Sequence, residues 1–338
     1  LYIRFTTVKP AVANAMTYPD SNLPWIDSPF FEKKLREATL TDDEKAFVKS
    51  YSDNGYIIFD PQIPESLLDE AVHEMMPWFA KIKGDDKRIQ DAWKYCPAVQ
   101  QIAAHSSVTR AVQMLYQRNP IPFQTLSFCE GTQQDTHSDL IHFGSIPQRF
   151  MCGVWVAMED ITDFNGPLHY YPGSHKLPFY EMIDMGVKAS SLRMKKTMML
   201  YAKNYTEFIQ KMVDALGLEK RTLNIKKGQA IIWSANLLHG GNTILHAGSS
   251  RFSQVTHYYF EDCMYYVPRL SDIAINKIYF PDLANIATGE RIKSKYFGKE
   301  VRPSNGLFLE QKARRMLNSI ASLFPGEVVD KIRSVVRK

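Results

Sequence analysis

Apolar and polar positions along this chain follow two periods, and the change from one to the other divides it. From Thr41 to Arg118 the apolar residues recur mostly at helical spacing. Thr41-Asp42-Asp43-Glu44 has the form of a capping box, a hydroxyl at the N-cap and a carboxylate three residues on. A helix therefore opens there, runs to about Asp53 and stops at Asn54-Gly55. Tyr56–Asp60 reads as a short strand. Pro64–Lys81 reads as a second helix with Leu67, Leu68, Val72, Met75 and Met76 on its inner side. More helix is expected over Pro97–Arg118. Residues 1–40 begin Pro-rich and irregular, with a short helix near Phe30–Thr39.

From Pro120 the pattern turns to strands. Pro122–Cys129, Leu168–Tyr171, Gln229–Trp233 and Phe252–Phe260 are strand-like, and Met151–Met158 is apolar on both alternating faces, as a strand sandwiched in a core would be. Turn residues separate them at Asn165-Gly166, Pro172-Gly173 and Lys227-Gly228. Short strands at this spacing suit a double-sheet jelly roll. The expected fold class is thus mainly β with flanking helices around a double-stranded β-helix, cupin-like core. Lys176–Leu223 is a long insertion with helical character at Thr206–Leu216, and an insertion of that size beside a site commonly forms a lid or substrate wall. After Phe260 the chain is expected to turn helical. Asn305–Phe324 carries Leu309, Ala313, Met316, Leu317, Ile320, Leu323 and Phe324 at helix spacing, with Lys312, Arg314 and Arg315 between them, and a basic segment Gly326–Lys338 follows. Such a stripe favours packing on the protein's own core or on a second subunit, with weak binding to an anionic membrane surface as the alternative. The expected organisation is a single catalytic domain over 1–338. It comprises an N-terminal helical region and first strand (1–119), a jelly-roll core (120–262, with the insertion 176–223) and a helical C-terminal extension (263–338).

Composition narrows the class. Hydrophobic residues make up 45% and aromatics 12% of the 338, ample for a large core, and the net charge of +5 is a mild excess spread through the sequence. Nucleic-acid binding would need clustering that the core does not carry. No run of about eighteen apolar residues exists to span a membrane. Leu1–Met16 lacks the apolar region and cleavage site of a secretory signal, and the chain begins with Leu1 rather than Met. Cys96, Cys129, Cys152 and Cys263 form no CxxC pair, so zinc fingers, iron–sulfur clusters and a disulfide framework have little support, and a reducing cytoplasm fits best.

The candidate chemistry lies in His137-Ser138-Asp139. Along an extended backbone residues i and i+2 point to the same side, so His137 and Asp139 can grip one metal while Ser138 points away. A third ligand has to come from a distant segment, and His239, at the close of the stretch Gln229–His239, is placed for it. Two imidazoles and a carboxylate leave coordination positions open, the arrangement of non-haem iron oxygenases, and Arg251 can fork onto a carboxylate nearby. A lone His-x-Asp among nine histidines is weak; the added histidine and arginine beside predicted strands strengthen it.

The ordered series around these residues resembles the phytanoyl-CoA dioxygenase family. The matching segments are His137-Ser138-Asp139, Gly153-Val154-Trp155-Val156-Ala157-Met158-Glu159-Asp160, Asn165-Gly166-Pro167-Leu168, Pro172-Gly173-Ser174-His175-Lys176 and Leu237-Leu238-His239-Gly240-Gly241-Asn242 with Arg251 following. Asp53-Asn54-Gly55-Tyr56-Ile57-Ile58 looks like the family's first strand after a helix, and the resemblance spans 41–262. It implies Fe(II) on His137, Asp139 and His239, with 2-oxoglutarate and dioxygen as co-substrates. It also implies Arg251 on the distal carboxylate of 2-oxoglutarate and Trp155 against that co-substrate. No catalytic residue beyond the metal site is implied. One departure stands out: Gly241 occupies a position where the family often has a small hydroxyl residue, so a hydrogen bond to 2-oxoglutarate falls to Thr125 or Gln124. Because Asp139 is a carboxylate rather than the small residue that makes room for halide, hydroxylation is the expected outcome. The substrate is a small molecule, with a polar metabolite, a sugar or a lipid-like compound all open.

Other readings of the same parts are a zinc or nickel hydrolase or isomerase on the cupin plan, in which Arg251 is an internal ion-pair partner, and a catalytically silent jelly-roll binding module. His142, close after Asp139, is a candidate for substrate contact or for a structural role. His175 is expected to stabilise its turn, Asn165 to shape its own, and His169, His246 and His257, without partner spacing, to have core or surface roles. Trp93, Tyr95, Tyr170 and Tyr171 are expected to fill core sooner than to stack on a substrate.

Overall fold

The computed structural model describes residues 22–82, 88–188, 199–275 and 277–301. The capping box forms as expected: Glu44 N donates to Thr41 Oγ1 and Thr41 N to Glu44 Oε2, opening α2 (Asp42–Asn54) after the short α1 (Phe31–Glu37). Gly55 ends α2 at φ 80°, a left-handed conformation that favours glycine, and its N–H closes on Tyr51 O. The chain then enters β1 (Tyr56–Phe59) and α3 (Glu65–Phe79). Leu68 and Met75 of α3 are buried, but Met76, expected inside, is 49% exposed. One residue after Met75 turns about 100° around a helix axis, which carries the side chain off the core face. The stretch expected as more helix over Pro97–Arg118 is two helices, α4 (Pro97–Ala103) and α5 (Ser106–Tyr116), broken at Ala104-His105.

Six strands form the large sheet in the order β1, β8, β5, β10, β3, β2, every neighbouring pair antiparallel. They are β2 (Arg88–Gln90), β3 (Pro120–Phe128), β5 (Met151–Ala157), β8 (Ala230–Ser234) and β10 (Ser253–Phe260) beside β1; the three-residue β4 (Gly144–Ile146) pairs elsewhere. A second sheet holds β6 (Leu168–Tyr170) between β7 (Arg221–Thr222) and β9 (His239–Gly241), and His137 extends it through an isolated bridge to His239.

Period-two alternation decides what each face of the large sheet meets. Val154 and Val156 of β5, Ile232 of β8 and Tyr258 of β10 join the helices in one core; the Tyr258 hydroxyl donates to Ala103 O in α4. Trp155, Ile231, Trp233 and Val255 face the other way and pack with Phe128, Tyr170, Leu223 and Leu237 between the two sheets. The two sheets with this shared interior are the jelly roll, and the helices cover its outer side. The wall of the insertion is a third cluster, where Tyr205, Ile209 and Val213 around α6 (Thr206–Leu216) pack on Ile141, Tyr171 and Leu238.

The helical turn expected after Phe260 does not occur in the described residues. Over 261–301 they form β11 (Met264–Tyr266), which pairs with β4, and then short 3-10 turns and a small hairpin. The stripe at Asn305–Phe324 and the segment Gly326–Lys338 lie outside the described residues, as does Leu1–Met16. No helix among the described residues is long and apolar enough to cross a membrane.

Candidate metal centre

His137, Asp139 and His239 meet in the interior between the sheets, all buried, with one donor atom from each within 4.8 Å of the others. His137 Nε2 stands 3.7 Å from Asp139 Oδ1 and His239 Nε2 3.9 Å from Asp139 Oδ2. The i, i+2 geometry comes through Ser138, whose backbone is extended at φ −106°, ψ 138°, while Asp139 itself opens a 3-10 turn rather than continuing a strand. Ser138 points away, its hydroxyl donating to Ala235 O. The strand expected over Gln229–Trp233 forms as β8, and His239, at the close of that stretch, lies beyond it. β8 ends at Ser234, and after a tight loop His239 opens β9 in the other sheet. The centre thus draws its ligands from the seam where the small sheet faces the large one.

Each imidazole is aimed by a backbone carbonyl. His137 Nδ1 donates to Asp135 O at 2.8 Å and His239 Nδ1 to Leu237 O at 2.9 Å. A carbonyl can only accept, so the proton sits on Nδ1 and the Nε2 lone pair of each ring faces the cluster, the tautomer a metal requires. The Gln134 amide donates to His137 Nε2 at 3.3 Å, in keeping with that lone pair. Burial, with His239 adding to it, pushes His137 down to about 4. Burial alone would raise the Asp139 carboxyl, but His239, His257 and His137 together hold it well below the usual carboxylate range. Both ligands therefore stand in their metal-binding protonation states at neutral pH. Trp233 Nε1 donates to Asp139 Oδ2 at 2.8 Å. A buried set of two imidazole nitrogens and a carboxylate oxygen, with orienting partners in place, fits ferrous iron with open coordination positions.

A cavity of about 310 Å³ is lined by this cluster, and Arg251 lines it too. Arg251 is 1% exposed, yet among the described residues it forms no ion pair. Nη1 donates to Gly166 O at 2.9 Å, Nε has no partner, and Cζ lies 5.5 Å from the Phe128 ring and 5.9 Å from that of Trp155. Burial lowers the guanidinium to about 10, still charged at neutral pH. Glu159 opposes that burial only in part and without an ion pair, and an anionic ligand would offset more of the cost.

The family model described as phytanoyl-CoA dioxygenase (PhyH) matches residues 68–252, with all three cluster residues and Arg251 inside the match. The chain belongs to the phytanoyl-CoA dioxygenase family. Its site is accordingly that of an iron- and 2-oxoglutarate-dependent oxygenase. Solved structures of similar fold include the non-haem alpha-ketoglutarate-dependent carbocyclase SnoK from nogalamycin biosynthesis, 15% identical at TM-score 0.52 over 76% of this chain and 95% of that one. The epimerase SnoN, in complex with Fe3+, alpha-ketoglutarate and nogalamycin RO, is 15% identical at TM-score 0.50 over 66% of this chain and 86% of that one. At such identity the likeness carries the fold and leaves the reaction open. No curated protein matches the sequence.

The other sequence candidates separate cleanly in this PhyH-family structure. Trp155, Gln124 and His142 line the cavity. Thr125 does not: alternation along β3 sends Gln124, Leu126 and Phe128 inward and turns Thr125 to the opposite face, fully buried with an unpartnered hydroxyl. Gly241 cannot be the lost hydroxyl position restored by simple substitution, because a Cβ there would lie 2.9 Å from Gln133 N. His142 Nε2 lies 3.0 Å from the Tyr201 hydroxyl. His175 ties its turn to Ser52 O at 3.0 Å, and Asn165 accepts from Thr162 N at 2.9 Å. Of the histidines set aside for want of spacing, His246 stacks on Phe164 outside the site, but His257 stands in it. His257 Nε2 is 3.6 Å from Asp139 Oδ2 and Nδ1 3.1 Å from Gln124 Oε1. The strand-like run Phe252–Phe260 held the signal for it, since His257 falls on the same face as Val255.

Proposed function

We propose that this protein hydroxylates an aliphatic C–H bond of a small metabolite, sugar or lipid-like molecule, using Fe(II), 2-oxoglutarate and dioxygen. The observation that carries the reading is the pairing of a buried His-Asp-His cluster, its Nε2 atoms turned inward, with a buried arginine that has no ion pair among the described residues. His137 and His239 would hold the iron through Nε2 and Asp139 through the carboxylate oxygen that Trp233 leaves free. Arg251 would fix the far carboxylate of 2-oxoglutarate by charge-assisted hydrogen bonds, with Trp155 and Phe128 walling that end against water. Gln124, turned inward on β3, would replace the hydroxyl that Gly241 lacks. Iron with its two co-substrates supplies the oxidising chemistry, coupling loss of carbon dioxide from the keto acid to oxidation of the substrate.

The hydrolase or isomerase alternative treats Arg251 as an internal ion-pair partner, and the absence of such a pair among the described residues removes its support. The whole chain serves this activity as a single catalytic domain, and its four free cysteines suit a reducing cytoplasm. The test is anaerobic addition of Fe(II) and 2-oxoglutarate. A weak visible charge-transfer band should appear and succinate should form on admitting air, while His137→Ala and Asp139→Ala abolish the band. Neither band nor succinate from the wild-type protein would sink the proposal.

A further inference from the structure

Two arginines besides Arg251 line the cavity, Arg88 and Arg269, and Arg269 is a cation that a co-substrate held by Arg251 does not need. Arg269 sits on the 3-10 turn Pro268–Leu270, directly after β11, and lines the same cavity as the metal cluster. It is half-buried, its Nε is enclosed without a hydrogen-bond partner, and its Cζ lies 5.9 Å from the Tyr201 ring. No carboxylate among the described residues pairs with it. The group facing it is the Tyr201 phenol, which burial pushes well above its ordinary value and so keeps neutral. Burial likewise lowers Arg269, with Tyr201 only partly opposing.

Its place in the cavity separates it from Arg251. Arg251 has Phe128, Trp155 and Gly166 around it. Arg269 stands beside Tyr201, the residue that the insertion contributes to the cavity wall. That wall leads back to the metal in two steps: the Tyr201 ring is 5.2 Å from that of His142, and the His142 ring is 6.0 Å from that of His137. A molecule gripped at Arg269 would therefore extend past Tyr201 and His142 toward the iron. Arg269 also lies beyond residues 68–252 that match the family model, so family membership does not supply it.

We propose that Arg269 anchors an anionic oxygen group on the substrate, a carboxylate, phosphate ester or sulfate, and so selects acidic over neutral substrates. This rests on the dioxygenase reading above, in which Arg251 is taken by 2-oxoglutarate. A planar guanidinium with an unpartnered Nε matches the paired oxygens common to these three groups.

The test uses four probes of one chain length: hexanoate, hexyl phosphate, hexyl sulfate and neutral hexanamide. Each is titrated by calorimetry into the anaerobic protein loaded with Fe(II) and 2-oxoglutarate, and into the metal-free protein. At least one anion should bind more tightly than hexanamide, and which one does identifies the oxyanion. Arg269→Gln should weaken that anion by about tenfold or more, as loss of a charge-assisted hydrogen bond implies. Arg269→Lys should recover part of the loss, which a merely structural role would not, and both variants should keep the 2-oxoglutarate charge-transfer band. Equal binding of hexanamide, no binding of any anion, or an unchanged Arg269→Gln overturns the proposal. So does loss of the 2-oxoglutarate band in Arg269→Gln, which would move the co-substrate to this arginine. Should the wild-type band never form, the dioxygenase reading fails, while titration of the metal-free protein still decides whether Arg269 holds an anion.

Discussion

Arg251 and Trp233 line the cavity beside the metal cluster without belonging to it, and the role of each can be tested by itself. Arg251 is a desolvated cation with a carbonyl for company. Replacing it with Met should leave the ligand-free protein as stable or more stable, because an unpaired buried charge is removed. The same change should weaken 2-oxoglutarate by about a hundredfold or more, the scale of losing a buried charge-assisted pair; thermal melts and titration of the visible band read the two effects. Trp233 is held by its neighbour across the sheet, since a Cβ on Gly153 would come within 2.4 Å of its indole. Gly153→Ala should therefore push the indole off Asp139 and lower iron affinity, measurable by competition with a chelator, with activity falling in parallel. At this scale the sequence made the ligand triad and Arg251 visible, because their residue types are rare and their order is distinctive. It hid His257, Trp233 and Tyr201. Their roles depend on strand register, which sets His257 opposite Gly153 and Gln124, and on how the insertion folds back, neither of which is written in local spacing.

Helices and strands were legible where local chemistry closes on itself. The Thr41–Glu44 capping box and the Gly55 stop are satisfied within a few residues of chain, and α2 begins and ends where they predict. Thr41→Ala should cost about 1 kcal/mol, seen as a lower denaturant midpoint with an unchanged slope. Met151–Ala157 was readable as a sandwiched strand because both of its faces are apolar. Boundaries governed by tertiary contacts were less so. The strand expected over Gln229–Trp233 ends at Ser234 in the large sheet, but that His239 then opens a strand of the small sheet shows only in the pairing of β9 with β6. Gly241 in that strand is hemmed in by the backbone of Gln133 and Gln134, with a Cβ 2.9 and 3.0 Å from their nitrogens. Gly241→Ser, which would supply the family's usual hydroxyl, should destabilise the protein by about 1–3 kcal/mol for that overpacking.

At the scale of the whole molecule, buried neutral histidines couple stability to pH. Burial pushes His169 and His175 down to about 4, the first beside Thr136 and the second under α2. In the unfolded chain both titrate near 6.5. The unfolded state therefore binds more protons between these values, so stability is fully present above about pH 6.5 and drains away as pH falls toward 4. Melting temperatures of the metal-free protein should drop steadily over that window; a flat profile would contradict the burial of these two side chains.

The hydrogen bond from Trp233 to Asp139 has one more consequence, for traffic at the iron. An unencumbered carboxylate can swing onto a metal with both oxygens and close off a vacancy. With an indole N–H holding Oδ2 at 2.8 Å, that swing means abandoning a buried donor. The tryptophan would thus work as a doorstop, keeping the second oxygen of Asp139 from turning onto an iron that the first one holds.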